Sequence, residues 1–303
     1  MPTAKANGIT LEYEECGRKS DPALLLIMGF SGQLTMWPEA LCEGLSAKGF
    51  HVIRFDNRDV GKSGKIETGP EVNIPDLMAK STQGQPLPPI PYHLDDMAKD
   101  AVGLLDALGI ESAHIVGASM GGMIAQIVAA KYPERTRSLV SIMSTTGKRG
   151  LPPAKPEAMA ALMTPPANFE RETLINRFIN SFGVIGSPGY SATPAELRAT
   201  AEKQVDRVPY YPQGIQRQLA AIVCAYPRNE ILKDVRAPAM VIHGADDPLV
   251  PVDGGKDTAA SIKGSKLVIV PGMAHDFTEA LVPVYLQHIG DFVTEVESKR
   301  KAA

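Results

Sequence analysis

Short apolar runs alternate with stretches of helical spacing along most of the chain. A continuous apolar run of about five residues is typical of a strand that is buried on both faces of a parallel sheet. Strands that alternate with helices predict an α/β fold with a mainly parallel, doubly wound sheet. The runs lie at residues 23–27, 51–55, 114–118, 139–143, 239–243 and 266–270.

Other elements follow from turn and helix signals. Asn7-Gly8 is a strong two-residue turn signal and predicts a hairpin over residues 4–16. Apolar positions at helical spacing predict the remaining helices of the sheet domain. These helices are expected at about residues 37–48, 94–108, 123–130 and 277–296.

Two segments depart from this alternation. Glycine and proline recur through residues 65–92, which predicts a long extended loop without a helix. Residues 147–235 contain no convincing buried strand, but amphipathic helical stretches occur at 170–182 and 194–205. The sequence therefore predicts one sheet domain that is interrupted by a helical insertion of about 90 residues, a length typical of a small domain.

Composition and charge exclude several classes of partner. The 303 residues have a formal net charge of −3, so there is no excess of positive charge to indicate a nucleic-acid or anionic-membrane partner. Cys16, Cys42 and Cys224 lack metal-ligand spacing and cannot form a full disulfide framework. No leader peptide or membrane-spanning run is recognised. We expect a cytoplasmic protein without metal or cofactor.

The strongest chemical signal is the pentapeptide Gly117-Ala118-Ser119-Met120-Gly121, which joins a strand to a helix. A serine on such a tight turn projects its hydroxyl away from the backbone, and glycines flank it because larger side chains would collide. The N–H groups of the following helix point at charge that develops on a reacting group. Ser119 is therefore the candidate nucleophile.

A serine hydroxyl needs a neighbouring base, and histidine suits that role at neutral pH. Among six histidines, His275 is the best candidate because its loop of small residues follows the carboxyl end of the last strand. His243 also ends a strand. Asp246 or Asp247, directly after the strand of His243, would orient the base, and only one of the two is expected to reach it.

An oxyanion hole requires two backbone donors. One is the N–H of Met120, and the natural second donor is the N–H of Phe30, in the loop after residues 23–27. Gly29 would allow this loop to approach a bound substrate closely. Trp37, the only tryptophan, is a candidate for the wall of the substrate site or, equally, for the core.

The chain order serine, aspartate, histidine resembles that of α/β-hydrolases over essentially the full sequence. More closely, the chain is similar to esterases related to aclacinomycin methylesterase. The matching stretches are residues 27–32, 52–63, 92–110, 117–122 and 244–248 with Pro251.

This resemblance implies an α/β-hydrolase core of residues 1–146 and 236–303, with residues 147–235 as a helical cap over the active site. The spacing of the family motif selects Asp247 over Asp246 as the acid and fits His275 as the base. Many family members have histidine before the glycine of the oxyanion loop, whereas this chain has Met28. A polar side chain is therefore missing there, although the backbone donor is retained.

We therefore expect a serine carboxylic-ester hydrolase whose substrates are water and small to medium, apolar esters. Serine at the turn argues against the related epoxide hydrolases and haloalkane dehalogenases, which have aspartate there. A lactonase, a carbon–carbon bond hydrolase or a cofactor-free perhydrolase would use the same three side chains. A non-catalytic small-molecule receptor on this fold is a further alternative, because the fold alone does not define function.

Overall fold

The computed structural model describes residues 2–302, in which eight strands form one sheet. In the order β1-β2-β4-β3-β5-β6-β7-β8, the pairs β1–β2 and β2–β4 are antiparallel and all other neighbours are parallel. The predicted mainly parallel sheet is confirmed. The strands are β1 (Thr3–Ala6), β2 (Ile9–Cys16), β3 (Ala23–Ile27), β4 (His51–Phe55), β5 (Ala113–Ala118), β6 (Thr136–Ile142), β7 (Ala239–Gly244) and β8 (Lys266–Val270).

Helices cover both faces of the sheet, as expected for a doubly wound fold. They are α1 (Glu39–Ala47), α2 (Ile74–Gln83), α3 (Leu94–Ala107), α4 (Met120–Lys131), α5 (Pro156–Met163), α6 (Arg171–Ile185), α7 (Pro194–Arg207), α8 (Pro212–Val223), α9 (Val252–Ser261) and α10 (Val282–Ala302). None of the helices within residues 2–302 is both long and apolar enough to cross a membrane.

The apolar runs are explained by burial on both faces of the inner strands. In β3, Leu25 and Ile27 pack into the core layer that contains α3 and α4. Leu24 and Leu26 point the other way and pack with α1 and α10. All four side chains are fully buried, and burying each contributes about 1.5–3 kcal/mol. This double burial leaves no polar position in the strand.

The prediction of an uninterrupted loop over residues 65–92 is wrong, because α2 lies within it. Asn73 caps this helix by accepting a hydrogen bond from the Asp76 N–H, and Pro75 lies in the first turn, where its missing N–H costs nothing. Gly84 ends the helix in the left-handed conformation. The prolines therefore bound the helix here and do not exclude it.

The helices α5 to α8 follow β6 and precede β7, within the predicted insertion. The stretches predicted at 170–182 and 194–205 correspond to α6 and α7, each two or three residues longer at its carboxyl end. The last helix begins at Val282, five residues later than predicted, because the Thr278 side chain caps a short turn before it.

Candidate active site

Ser119 lies on the sharp turn between β5 and α4, with a positive φ of 55° that L-residues rarely adopt. Its N–H donates to the Ile142 carbonyl (2.9 Å), and its carbonyl accepts from Ser144 Oγ (2.8 Å). A side chain at Gly117 would collide with the Gly121 carbonyl. These contacts hold a conformation that costs about 1–3 kcal/mol, as is common at functional sites.

Three of the predicted side chains form one hydrogen-bonded chain. Ser119 Oγ lies 3.0 Å from His275 Nε2, and His275 Nδ1 lies 2.7 Å from Asp247 Oδ2. Asp247 Oδ1 accepts the N–H groups of Leu249 (2.9 Å) and Val250 (2.8 Å). Because a carboxylate only accepts, Nδ1 carries the proton and the Nε2 lone pair faces the serine hydroxyl.

Two competing candidates lie outside this chain. Asp246 is exposed and accepts the Gly272 N–H (2.8 Å), so its side chain points away from His275. His243 is fully buried, and its Nε2 bonds the Val250 carbonyl (2.8 Å). Burial lowers the pKa of His243, which favours a neutral imidazole.

The loop after β3 passes directly beside the nucleophile. A Cβ added to Gly29 would lie 3.0 Å from Ser119 Cβ, so glycine permits this close approach. Phe30 and Met120 line the same cavity as Ser119. Asn57 anchors the loop by donating its Nδ2 to the Met28 carbonyl (2.8 Å).

Trp37 is not part of the cavity wall, which corrects its assignment as a substrate-binding residue. Its side chain is fully buried in the core layer of α1 and α10, and its ring centroid lies 4.7 Å from that of Phe277. Phe277, which follows His275 by two residues, reaches the cavity instead. The reason is that Trp37 lies two residues before α1 and faces the side of the sheet that α10 covers.

The site opens into a cavity of about 410 Å³ between the sheet and α5 to α8. Its wall is predominantly apolar, and α6 contributes Leu174, Phe178, Phe182 and Ile185. Half of the chain's 12 methionines line it, which gives a deformable wall. These methionines are Met28, Met36, Met120, Met123, Met143 and Met159.

Polar side chains of α7 and α8 join these helices to the loops after β3 and β4. Gln218 is fully buried, accepts the Ser31 N–H (2.9 Å) and donates to the Arg58 carbonyl (2.9 Å). Arg207 Nη1 donates to the buried Asp56 Oδ2 (2.7 Å). Sequence reasoning missed these residues, because a polar position on an amphipathic helix does not reveal whether it faces solvent or a neighbouring loop.

The loop that carries His275 is also joined to the inserted helices. The His275 N–H donates to the carbonyl of Ile185, the last residue of α6 (2.9 Å). Asp276 accepts hydrogen bonds from Ser187 Oγ (2.5 Å) and the Ser187 N–H (3.0 Å). Burial raises the pKa of Asp276. Within residues 2–302, no cluster of three or more His, Cys, Asp or Glu side chains could hold a metal ion.

Comparison with known proteins agrees with this architecture. The family model described as the α/β hydrolase fold matches residues 22–279. The chain is 25% identical to the rhodomycin D methylesterase of Streptomyces peucetius, over 91% of this chain and 92% of that protein. It is 27% identical to the 3-oxoadipate enol-lactonase 2 of Acinetobacter baylyi, over 88% of this chain and 87% of that protein.

A solved structure supports the same fold. The enol-lactonase from Burkholderia xenovorans LB400 superimposes with a TM-score of 0.71 at 22% identity, covering 97% of this chain and all of the other. At this identity the likeness concerns the fold alone. The match of the family model over residues 22–279 establishes the family, and similarity to a methylesterase and a lactonase agrees with hydrolytic chemistry. The chain therefore belongs to the α/β hydrolase fold family and is a hydrolase.

Proposed function

We propose that this chain is a serine carboxylic-ester hydrolase in which Ser119 is the nucleophile, His275 the base and Asp247 the orienting acid. The observation that carries the proposal is the continuous hydrogen-bonded chain from Ser119 Oγ through His275 to Asp247 at the wall of an apolar cavity. Each side chain has the partner that its role requires.

In this mechanism Ser119 Oγ attacks the ester carbonyl carbon while its proton passes to His275 Nε2. The same proton then goes to the departing alcohol, which leaves an acyl-enzyme. Water attacks the acyl carbon and gives a proton to His275, which passes it to Ser119 Oγ as the acid is released. Asp247 stabilises the imidazolium in both steps. No metal or organic cofactor is needed for these transfers.

The backbone N–H groups of Phe30 and Met120 form the proposed oxyanion hole. Met120 is the first residue of α4, so its N–H has no acceptor within the helix. Phe30 follows Gly29, whose backbone lies against Ser119. One such donor is worth about 3–4 kcal/mol in the transition state.

Residues 147–235, with α5 to α8, act as a cap domain on a core of residues 1–146 and 236–303. The apolar side chains that α6 adds to the cavity support esters whose acyl or alcohol part is apolar. The similarity to a rhodomycin D methylesterase supports a methyl ester as one candidate substrate, with methanol as the leaving group. The lactonase relative supports a cyclic ester as a second candidate, because ring opening uses the same attack and proton transfer.

The test is hydrolysis of p-nitrophenyl esters from acetate to decanoate by wild type and Ser119→Ala, followed by methyl esters and lactones in a pH-stat. We expect Ser119-dependent turnover of at least one ester class. Circular dichroism and the melting temperature control for folding of the variant. Hydrolysis by pure Ser119→Ala at the wild-type rate would refute the proposal. Turnover of lactones alone would assign the second candidate.

A further inference from the structure

The mainly apolar wall of the cavity that contains Ser119 includes a group of polar residues. We define the polar corner as the five lining residues Gln33, Asp59, Gly61, Lys65 and Tyr211. It is formed by the loops after β3 and β4 and by the residue that precedes α8. A few polar groups in the wall of a mainly apolar cavity can fix the orientation of a bound ligand.

The carboxylates in and next to the polar corner form ion pairs with arginines. Asp59 accepts two hydrogen bonds from Arg217, from Nε (2.8 Å) and from Nη2 (2.9 Å), and a third from the Ile66 N–H (2.8 Å). Asp56 accepts from Arg207 Nη1 (2.7 Å), and Arg207 is shared with Glu12, whose other carboxylate oxygen lies 3.9 Å from Lys62 Nζ. Bidentate and charge-assisted pairs of this kind satisfy the negative charge locally.

Lys65 is a cation of the polar corner that takes no part in these ion pairs. Its Nζ donates to the Gly61 carbonyl (2.7 Å) and lies 5.5 Å from the centre of the Tyr211 ring. Among residues 2–302, no carboxylate oxygen lies within 4 Å of Nζ. Burial lowers the pKa of Lys65, while the charges of Asp56 and Asp59 oppose that shift.

Among the described residues, the ammonium therefore has no ion-pair partner, and it lies at the wall of a mainly apolar cavity. It has three N–H donors, and the Gly61 carbonyl satisfies one of them. A half-buried cation is stabilised when an anion replaces the water that it has lost. The tetrahedral arrangement of the donors suits a carboxylate oxygen as a point-charge partner.

We propose that Lys65 binds an ionised carboxylate of the substrate, so that the substrate class is an ester with a second, free carboxylate separated from the scissile carbonyl by an apolar spacer. This inference rests on the proposed ester hydrolysis at Ser119. Lys65 contacts the substrate away from the reacting atoms and so determines specificity. The apolar wall holds the spacer, and the polar corner holds its charged end.

The experiment uses esters that are matched in length and differ in charge. p-Nitrophenyl hexanoate and the mono-p-nitrophenyl ester of adipic acid place the carboxylate on the acyl side. Ethyl hexanoate and the hexanoyl ester of glycolic acid, followed in a pH-stat, place it on the alcohol side. Both pairs are assayed at pH 7.5 with wild type, Lys65→Met and Lys65→Arg.

A matched control is Lys62→Met on the same loop, because the Lys62 side chain is 49% exposed and does not line the cavity. For at least one pair, we expect Lys65→Met to lower the ratio of kcat/KM for the anionic ester to that for the neutral ester by roughly tenfold or more, mainly through KM. We expect Lys65→Arg to restore most of the ratio and Lys62→Met to leave it unchanged.

A parallel loss on neutral and anionic esters would show that Lys65 only holds the loop through Gly61, and would overturn the inference. An unchanged ratio for both pairs would do the same. Calorimetric titration of monomethyl adipate into Ser119→Ala and into Ser119→Ala with Lys65→Met tests binding without turnover. A Lys65-dependent affinity would support the carboxylate site even if hydrolysis failed, and equal affinities would count against it.

Discussion

Replacing Asp247 by Asn tests the hydrogen-bonded chain with almost no change in volume. In the wild type, Asp247 Oδ2 accepts from His275 Nδ1 (2.7 Å), while Oδ1 accepts from the N–H groups of Leu249 and Val250. In the variant, the amide oxygen keeps the two backbone donors, so the NH₂ group faces Nδ1. The imidazole must then accept at Nδ1 and carry its proton on Nε2.

That tautomer presents a proton to Ser119 Oγ where a lone pair is needed. The base can no longer take the serine proton, and the imidazolium loses its counter-charge. For this change in other serine hydrolases the loss in kcat is about 10⁴-fold, equivalent to about 5 kcal/mol of transition-state stabilisation. We expect a loss of this order here, because Asp247 is 5% exposed and solvent cannot replace it.

The assay measures kcat and KM on the best p-nitrophenyl ester for wild type, Asp247→Asn and the matched control Asp246→Asn. Asp246 is adjacent but exposed, and an asparagine oxygen can still accept the Gly272 N–H. We expect Asp246→Asn to retain more than half of the wild-type kcat. The reasoning is refuted if Asp247→Asn keeps more than a tenth of kcat, or if the two variants lose activity equally.

Three further predictions concern the surroundings of the site. Arg207→Met removes the cation between the buried carboxylates of Glu12 and Asp56 and should lower the free energy of unfolding in urea by about 3–5 kcal/mol. Arg171→Met, in an exposed ion pair, should change that free energy little, and equal effects of the two variants would contradict the reasoning. Gly29→Ala should lower kcat at least about tenfold with an unchanged melting temperature, because the new Cβ would lie 3.0 Å from Ser119 Cβ. An unaltered kcat would show that the loop can move away from Ser119 without cost. Burial lowers the pKa of His114 to about 4, so as the pH falls the unfolded chain binds a proton at this histidine before the folded chain does. The free energy of unfolding should therefore fall by about 3 kcal/mol between pH 6.5 and pH 4. A His114→Gln variant with the same pH dependence would disprove this origin.

The sequence predicted the sheet and the positions of Ser119 and His275 from local patterns, whereas only the resemblance to α/β-hydrolases selected Asp247 over Asp246. β5, Ser119 and α4 follow from an apolar run, a turn of small residues and a helix, all within about 20 residues. The segment at residues 65–92 shows the opposite case. Its cap residues, Asn73 and Gly84, were present in the sequence but were outweighed by the frequent prolines around them.

Tertiary contacts decide the features that local patterns could not predict. Trp37 is buried because α10, more than 200 residues later, covers the same face of the sheet. Gln218 lies on an amphipathic helix and Lys65 in a polar loop, where polar side chains are usually exposed to solvent. Only the position of α8 against the loops after β3 and β4 shows that both side chains face the interior.

The joins between the inserted helices and the core have a consequence for how ligands enter and leave. Gln218 of α8 accepts the Ser31 N–H, and the Ile185 carbonyl at the end of α6 accepts the His275 N–H. Just before α5, the Lys155 N–H donates to the Pro248 carbonyl (2.8 Å). We expect a helical layer that is hydrogen-bonded to the core at several separate places to resist opening as a hinged lid. We then expect ligand entry and exit to depend on side-chain rotation. The candidates are Phe178 and Phe182, whose stacked ring centres lie 4.4 Å apart, and the methionines that line the cavity. Side-chain rotations are generally fast compared with typical turnover, so we do not expect ligand entry or product release by this route to limit the rate.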